Sequence, residues 1–349
     1  MYLKELVDIQ MGQSPDSKFY NNDKIGLPFY QGKADFGRIN PIPKIWCSKS
    51  KKEAKPNDIL ISVRAPVGDL NINNVQSCIG RGLAAITCKS DVDMMYLYYH
   101  LKYLKPQLKH ISTGSTFESI NRSQLENLII DYKPYFEQIK ISNILQVVQR
   151  QIEVREKLLR LYDLLIKSRF VEIFKNNKAR IAIGELFQVI DGDRGKNYPK
   201  ATDFFDEGYC LFLNAKNVTK NGFCFDTVQF ITQQKDEQLN KGRVLPEDII
   251  LTTRGTVGNV AYCDIKSSHK YMRINSGMVI LRSKDIIYDV DFITYVLSNQ
   301  INYGKEISGS AQPQLPISKL KDIMIPFPEI FLQKDFGYLI KQINKLKFA

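Results

Sequence analysis

The sequence predicts an α+β fold: two similar mixed α/β domains joined by a long helix, with a shorter helix at the C-terminal end. Three observations predict it. A segment of the first half returns in the second, a central stretch lacks both proline and glycine, and 349 residues are too many for one ordinary core. The repeat is explicit. Pro56-Asn57-Asp58-Ile59-Leu60-Ile61-Ser62-Val63-Arg64-Ala65-Pro66-Val67-Gly68 returns as Pro246-Glu247-Asp248-Ile249-Ile250-Leu251-Thr252-Thr253-Arg254-Gly255-Thr256-Val257-Gly258. Asp91-Val92-Asp93 returns as Asp289-Val290-Asp291, and Ile111-Ser112-Thr113-Gly114-Ser115 as Ile307-Ser308-Gly309-Ser310. A chain that repeats a whole domain needs two related surfaces, which is a statement about geometry before chemistry.

The elements follow in order. In residues 1–134, the first copy, residues 3–9 read as a short helix or strand running into the breaker group Gly12-Gln13-Ser14-Pro15. Residues 58–63 and 82–87 are buried strands, and residues 94–104 carry bulky apolar side chains at helical spacing until Lys105-Pro106 stops them. Residues 135–180 form the spacer helix. Ile141, Leu145, Val148, Ile152, Leu159, Tyr162 and Ile166 alternate four and three apart, with Arg155 where an apolar residue is due. That is a coiled-coil-like seam, and a helix of about 40 residues is roughly 60 Å long. A helix lying on its own domain would want a broader apolar stripe; a narrow seam wants another helix. Residues 181–328 repeat the first copy through pieces at 183–190, 248–253, 277–281 and 292–297. Residues 329–349 then offer Ile330, Phe331, Leu332, Phe336, Leu339, Ile340, Ile343 and Leu346 as a second, shorter helix.

Composition sets the class. Hydrophobic residues make up 44% of the chain, which suits a globular protein, and no apolar run reaches membrane-spanning length. A cytoplasmic protein with no membrane contact is expected. The six cysteines are scattered, with no C-x-x-C pair and three histidines, so reduced, packed thiols are expected in place of a zinc site. Net charge is +12. Most of the excess lies in residues 1–180, with a small remainder in 329–349, while residues 181–328 are balanced, so a basic face in the second copy must be local. A basic excess favours a polyanionic partner.

Several motifs are weighed and set aside. Asp16 with Glu53-Ala54-Lys55 superficially fits a metal-dependent nuclease, but the second copy has no equivalent and the match is short. Asp35-Phe36-Gly37 lacks the catalytic and glycine loops of a kinase, and Asp191-Gly192-Asp193 lacks the further oxygen ligands of a calcium loop. The sequence carries no nucleophile elbow, dinucleotide fingerprint, Walker loop or methyltransferase tetrapeptide. No catalytic or metal-ligating residue is assigned, and no bound cofactor is expected. What remains is polar and repeated. Arg64 and Arg254 each follow an apolar strand and precede a turn glycine, where a guanidinium can meet a phosphate, a guanine edge, or simply an acid of its own domain. The loops at 114–119 and 309–314 pair small residues with hydrogen-bonding side chains.

These features, with Gly12-Gln13-Ser14-Pro15, Tyr30-Gln31-Gly32-Lys33-Ala34-Asp35-Phe36-Gly37 and the long helix, resemble a specificity subunit of a Type I restriction-modification system over essentially the whole chain. The resemblance implies two target recognition domains, each reading half of a split double-stranded DNA sequence, and two helices packed antiparallel as spacer and docking site. It implies two methyltransferase subunits using S-adenosylmethionine, and restriction subunits using ATP and Mg²⁺, with no such reaction on this chain. It places DNA contacts at Lys33, Arg64 and Thr116 in the first domain and Lys216, Arg254 and Gln312 in the second. Partner docking falls on Ile141, Leu145, Val148, Ile152, Leu159 and Ile166. The short C-terminal helix departs from the near-equivalence of two docking sites. The alternative from another class is a two-domain protein-binding scaffold that oligomerises through its long helix.

Overall fold

A computed structural model describes residues 1–112, 118–264, 269–307 and 313–348. It divides into two compact units, Met1–Glu156 and Lys157–Ala349. Each unit is built on an antiparallel four-stranded sheet of the same topology. In the first, Val7–Met11, Leu83–Cys88, Ile59–Ser62 and Leu70–Ile72 pair in that order. In the second, the order is Phe187–Asp191, Met278–Ser283, Ile249–Thr252 and Val260–Tyr262. The strands are apolar on both faces because each sheet is covered twice. Ile59 and Ile61 join a core with Leu97, Leu101 and Leu108, while Leu60 packs with Tyr30, Ile79 and Ala85.

The second cover is a small sheet with a central parallel pair. Leu27–Tyr30 lies beside Ser77–Ile79 in the first unit, and Cys210–Leu213 beside Met272–Ile274 in the second. The first unit carries five strands in this sheet and the second carries four. Its interior has diverged. Cys78 is buried among Phe29 and Cys47, whereas the matching residue of the second unit, Arg273, is buried and donates from Nε to Asp236 at 2.7 Å. All six cysteines are free, and burial pushes the Cys78 and Cys210 thiols up to about 12, which leaves them unreactive.

The repeat runs deeper than the shared words. Gly12 and Gly192 follow the first strand of each antiparallel four-stranded sheet, and an added Cβ would stand 2.2 Å from the Gly80 carbonyl oxygen or 2.1 Å from that of Asn275. Only glycine permits that approach. Asp58 and Asp248 each accept from a backbone N–H three residues earlier, Lys55 and Leu245, and each takes a second partner from the matching strand, Thr87 or Arg282. The helix Met94–Tyr103 is capped by Asp93 and Val290–Asn299 by Asp289. The Asp-Val-Asp match in the sequence is therefore two residues out of register. Asp93, not Asp91, stands where Asp289 does.

The expected long helix is present as Tyr135–Phe174, and the second as Ile330–Phe348. Buried glutamines tie the start of each to the domain before it. Gln138 accepts from the Asp93 N–H and donates to the Lys133 carbonyl; Gln333 does the same for Asp289 and Pro328. The two helices pack antiparallel. Phe336 lies edge-on to Phe170 and Phe174, Ile340 and Ile343 join Ile166 in the same core, and Lys347 reaches back to Asp163. Residues 3–9, ambiguous in the sequence, split into a helical turn Leu3–Leu6 and the strand Val7–Met11. Pro106 does not end the helical region but sits in the first turn of a further helix, Lys105–Ile111.

Candidate nucleic-acid interface

After the strand Ile59–Ser62 the first unit makes a tight turn. The Gly68 N–H returns to the Ser62 carbonyl, and the Ser62 hydroxyl donates to the Pro66 carbonyl while accepting from the Asp69 N–H. This pushes Arg64 to Pro66 into solvent. Backbone bonds bring three more loops to the same place. The Val63 N–H donates to the Gly82 carbonyl, Gln13 N–H to Ile79, Gly80 N–H to Tyr30, and Arg81 N–H to the Ser14 hydroxyl. Gln13, Gln31, Lys33, Arg64 and Arg81 are all exposed around this junction. Gln13 and Gln31 stand in the motifs quoted above but were not among the expected contacts, and Arg81 was missed altogether, although the glycine on either side of it is a signal that backbone must pass closely there.

Lys33 is not loose. Its ammonium lies 2.9 Å from Asp69, which Lys105 also reaches at 2.6 Å. Burial pushes the Asp69 carboxyl up, but hydrogen bonds and charge from Lys105 and Lys33 outweigh it and hold the group below the ordinary carboxylate value. One acid thus positions two cations, and a surplus of positive charge remains.

The second unit repeats the scaffold and changes the chemistry. Thr252 replaces Ser62, donating to Thr256 and accepting from the Asn259 N–H, so Asn259 stands where Asp69 does. Strand register places Tyr30 opposite Ile79 and Leu213 opposite Ile274, which puts Lys33 and Lys216 each three residues beyond the matching position. Lys216 is exposed, in a loop held by Asn214 and Asn217, and makes no ion pair among the described residues. Arg254 is half-buried over Gly277, whose carbonyl accepts its N–H, and its Nε is buried without a hydrogen-bond partner. Arg194 adds an exposed guanidinium that reaches Asp191 and the Ser276 carbonyl.

Thr116 and Gln312 lie outside the described residues. On the long helix, Leu145, Val148, Ile152 and Leu159 are 37%, 49%, 48% and 39% exposed, Ile141 is half-buried, and Ile166 is 5% exposed. The C-terminal helix therefore covers the seam only at its far end. The nuclease-like set does not assemble. Asp16 pairs with Lys51, and Glu53 accepts from Ser50 and Gln76. Asp193 closes a turn by accepting from the N–H groups of Gly195 and Asn240. Among the described residues no three His, Cys, Asp or Glu side chains gather as a metal site, and no helix is long and apolar enough to cross a membrane.

The two units thus present polar and basic loops on a duplicated scaffold, with a long helix between the copies in the chain. The chain belongs to the Type I restriction modification DNA specificity domain family, which it matches over residues 1–160 and 176–347. It is 27% identical over 300 residues to the type I restriction enzyme MjaIX specificity subunit of Methanocaldococcus jannaschii, covering 79% of this chain and 68% of that one. Another specificity subunit of that organism, MjaX, is 45% identical over 150 residues, 43% of this chain. That match spans 35% of the relative's length, about a third. The crystal structure of a Type I restriction-modification S subunit from M. genitalium shares the fold, with a TM-score of 0.63 at 18% identity over 99% of this chain and 89% of that one.

Proposed function

We propose that this chain reads a bipartite target in double-stranded DNA, one half with each domain, and directs the methyltransferase and restriction subunits of a Type I complex to it. The observation that carries the reading is the pairing of Lys33 with Lys216 and of Arg64 with Arg254 at matched positions of two similar scaffolds. Matched positions with different neighbours are what two readers of different half-sites require. Arginine can bridge a guanine edge in two places, and lysine can neutralise a phosphate. The domains proposed are residues 1–134 and 181–328, with spacer helices at 135–180 and 329–349. The exposed seam from Leu145 to Leu159 supports docking of two methyltransferase subunits. Catalysis, S-adenosylmethionine, ATP and Mg²⁺ belong in this reading to partner subunits in the cytoplasm, and the chain acts on no bond itself.

Mapping methylated adenines in a host that carries this chain and its methyltransferase tests the proposal. Replacing residues 1–134 by the first domain of another specificity subunit is expected to change one half of the methylated motif and keep the other. A change in both halves, or methylation indifferent to this chain, would overturn it.

A further inference from the structure

The second domain contains a cavity of about 370 Å³ between the 255–259 turn and residues 298–304, within the size range of ligand sites. Lys220, Thr256, Asn259, Ser298, Asn299 and Asn302 supply its polar lining beside Val257, Ile301, Tyr303 and Ile307, and no carboxylate among the described residues lines it. Lys220 is exposed and makes no ion pair among the described residues. A lone cation with neutral amides and hydroxyls around it, and no acid, suits an anion with several acceptor oxygens. The cavity also adjoins the loops already described. Thr256 follows Arg254 by two residues, Lys220 follows Lys216 by four, and the Asn259 side-chain amide donates to the Val218 carbonyl at 2.9 Å, tying the two segments together.

At the corresponding place the first domain holds an ion pair of its own. The Lys105 side chain lies against Gly68, the counterpart of Gly258, and its ammonium is held by Asp69, the counterpart of Asn259. Where the first copy has an internal ion pair, the second has an asparagine, a tyrosine ring against Gly258 and open space.

We propose that this cavity seats a backbone phosphate of duplex DNA, with Lys220 as its cationic donor, and that the first domain has no such seat. The proposal rests on the DNA-reading function and deepens it. The test measures binding of the full-length chain to a duplex of fixed sequence across a salt series. Each phosphate neutralised contributes about −0.9 to the slope of log affinity against log salt. Lys220→Ala is expected to make the slope shallower by about one such step, Lys220→Arg to restore it, and Asn299→Asp, which sets a carboxylate at the exposed rim, to weaken binding several-fold. Thermal melting confirms that each variant is folded. A wild-type slope in Lys220→Ala would overturn the proposal. So would a lowered slope in Lys220→Ala with unaltered binding by Asn299→Asp, because Lys220 would then meet DNA outside the cavity. Binding of inorganic phosphate, seen by ³¹P NMR, with equal DNA binding by all variants would identify a free-anion site and overturn it too. Wild-type chain that shows no salt-dependent DNA binding would instead defeat the underlying function.

Discussion

Among single residues, Asp236 bears the largest structural consequence. It is fully buried, and it accepts from Arg273, itself 3% exposed, and from Arg243. Arg273 also donates to the Lys241 and Asp236 carbonyls, so each of its three guanidinium nitrogens makes a hydrogen bond. Removing one member of such a pair leaves the other as an uncompensated buried charge, which costs about 3–5 kcal/mol. Asp236→Ala is therefore expected to lower the melting transition of the second domain sharply and leave that of the first in place; equal loss in both would contradict the assignment. None of this was legible in the repeat. Cys78 and Arg273 occupy one position of the scaffold with opposite chemistry, and only the strand register shows that they match.

At the level of elements, the sequence revealed what repeats and concealed what joins. Strands such as Ile59–Ser62 and Ile249–Thr252 were plain because their apolar runs are bounded by a repeated proline and glycine. Asp91-Val92-Asp93 misled because identity of letters is weaker than the role of a cap, and Asp93 alone caps its helix. Gln138 and Gln333 were invisible, since a buried amide spanning two elements has no periodic signature. Arg64 and Arg254 stand out because they lie in a repeated word, and Lys33 and Lys216 come only from the family resemblance, whereas Arg81, which has Ser276 in the matching place, has neither signal. The seam was legible as a period, but its cover was not, because packing distance is not written in the heptads. Ile152 is half exposed. A charge there meets water in the free chain and would meet a partner's apolar face in the proposed complex. Ile152→Glu is expected to hold stability within about 0.5 kcal/mol, as surface substitutions do, and to abolish co-purification with the methyltransferase. Retained co-purification would remove the seam from the docking surface.

Across the whole molecule, duplication followed by divergence separates affinity from specificity. The shared scaffold fixes where a side chain emerges, while the neighbours decide what it can read. Arg64 is exposed, and Arg254 is half-buried with one nitrogen unsatisfied. If both arginines meet DNA as proposed, the two guanidinium groups would do so with different freedom and different desolvation. A bidentate contact to guanine contributes about 1–3 kcal/mol of discrimination, and losing it lets other bases into one position. Arg64→Ala and Arg254→Ala should each relax the methylated motif in one half, and in different halves, when adenine methylation is mapped in cells carrying either variant. The double variant should relax both, with nearly additive effects, because the two arginines belong to separate compact units. Relaxation of the same half by both single variants would mean that the copies do not read separate stretches of DNA. Uniform loss of methylation without relaxation would assign both arginines to phosphates instead of bases.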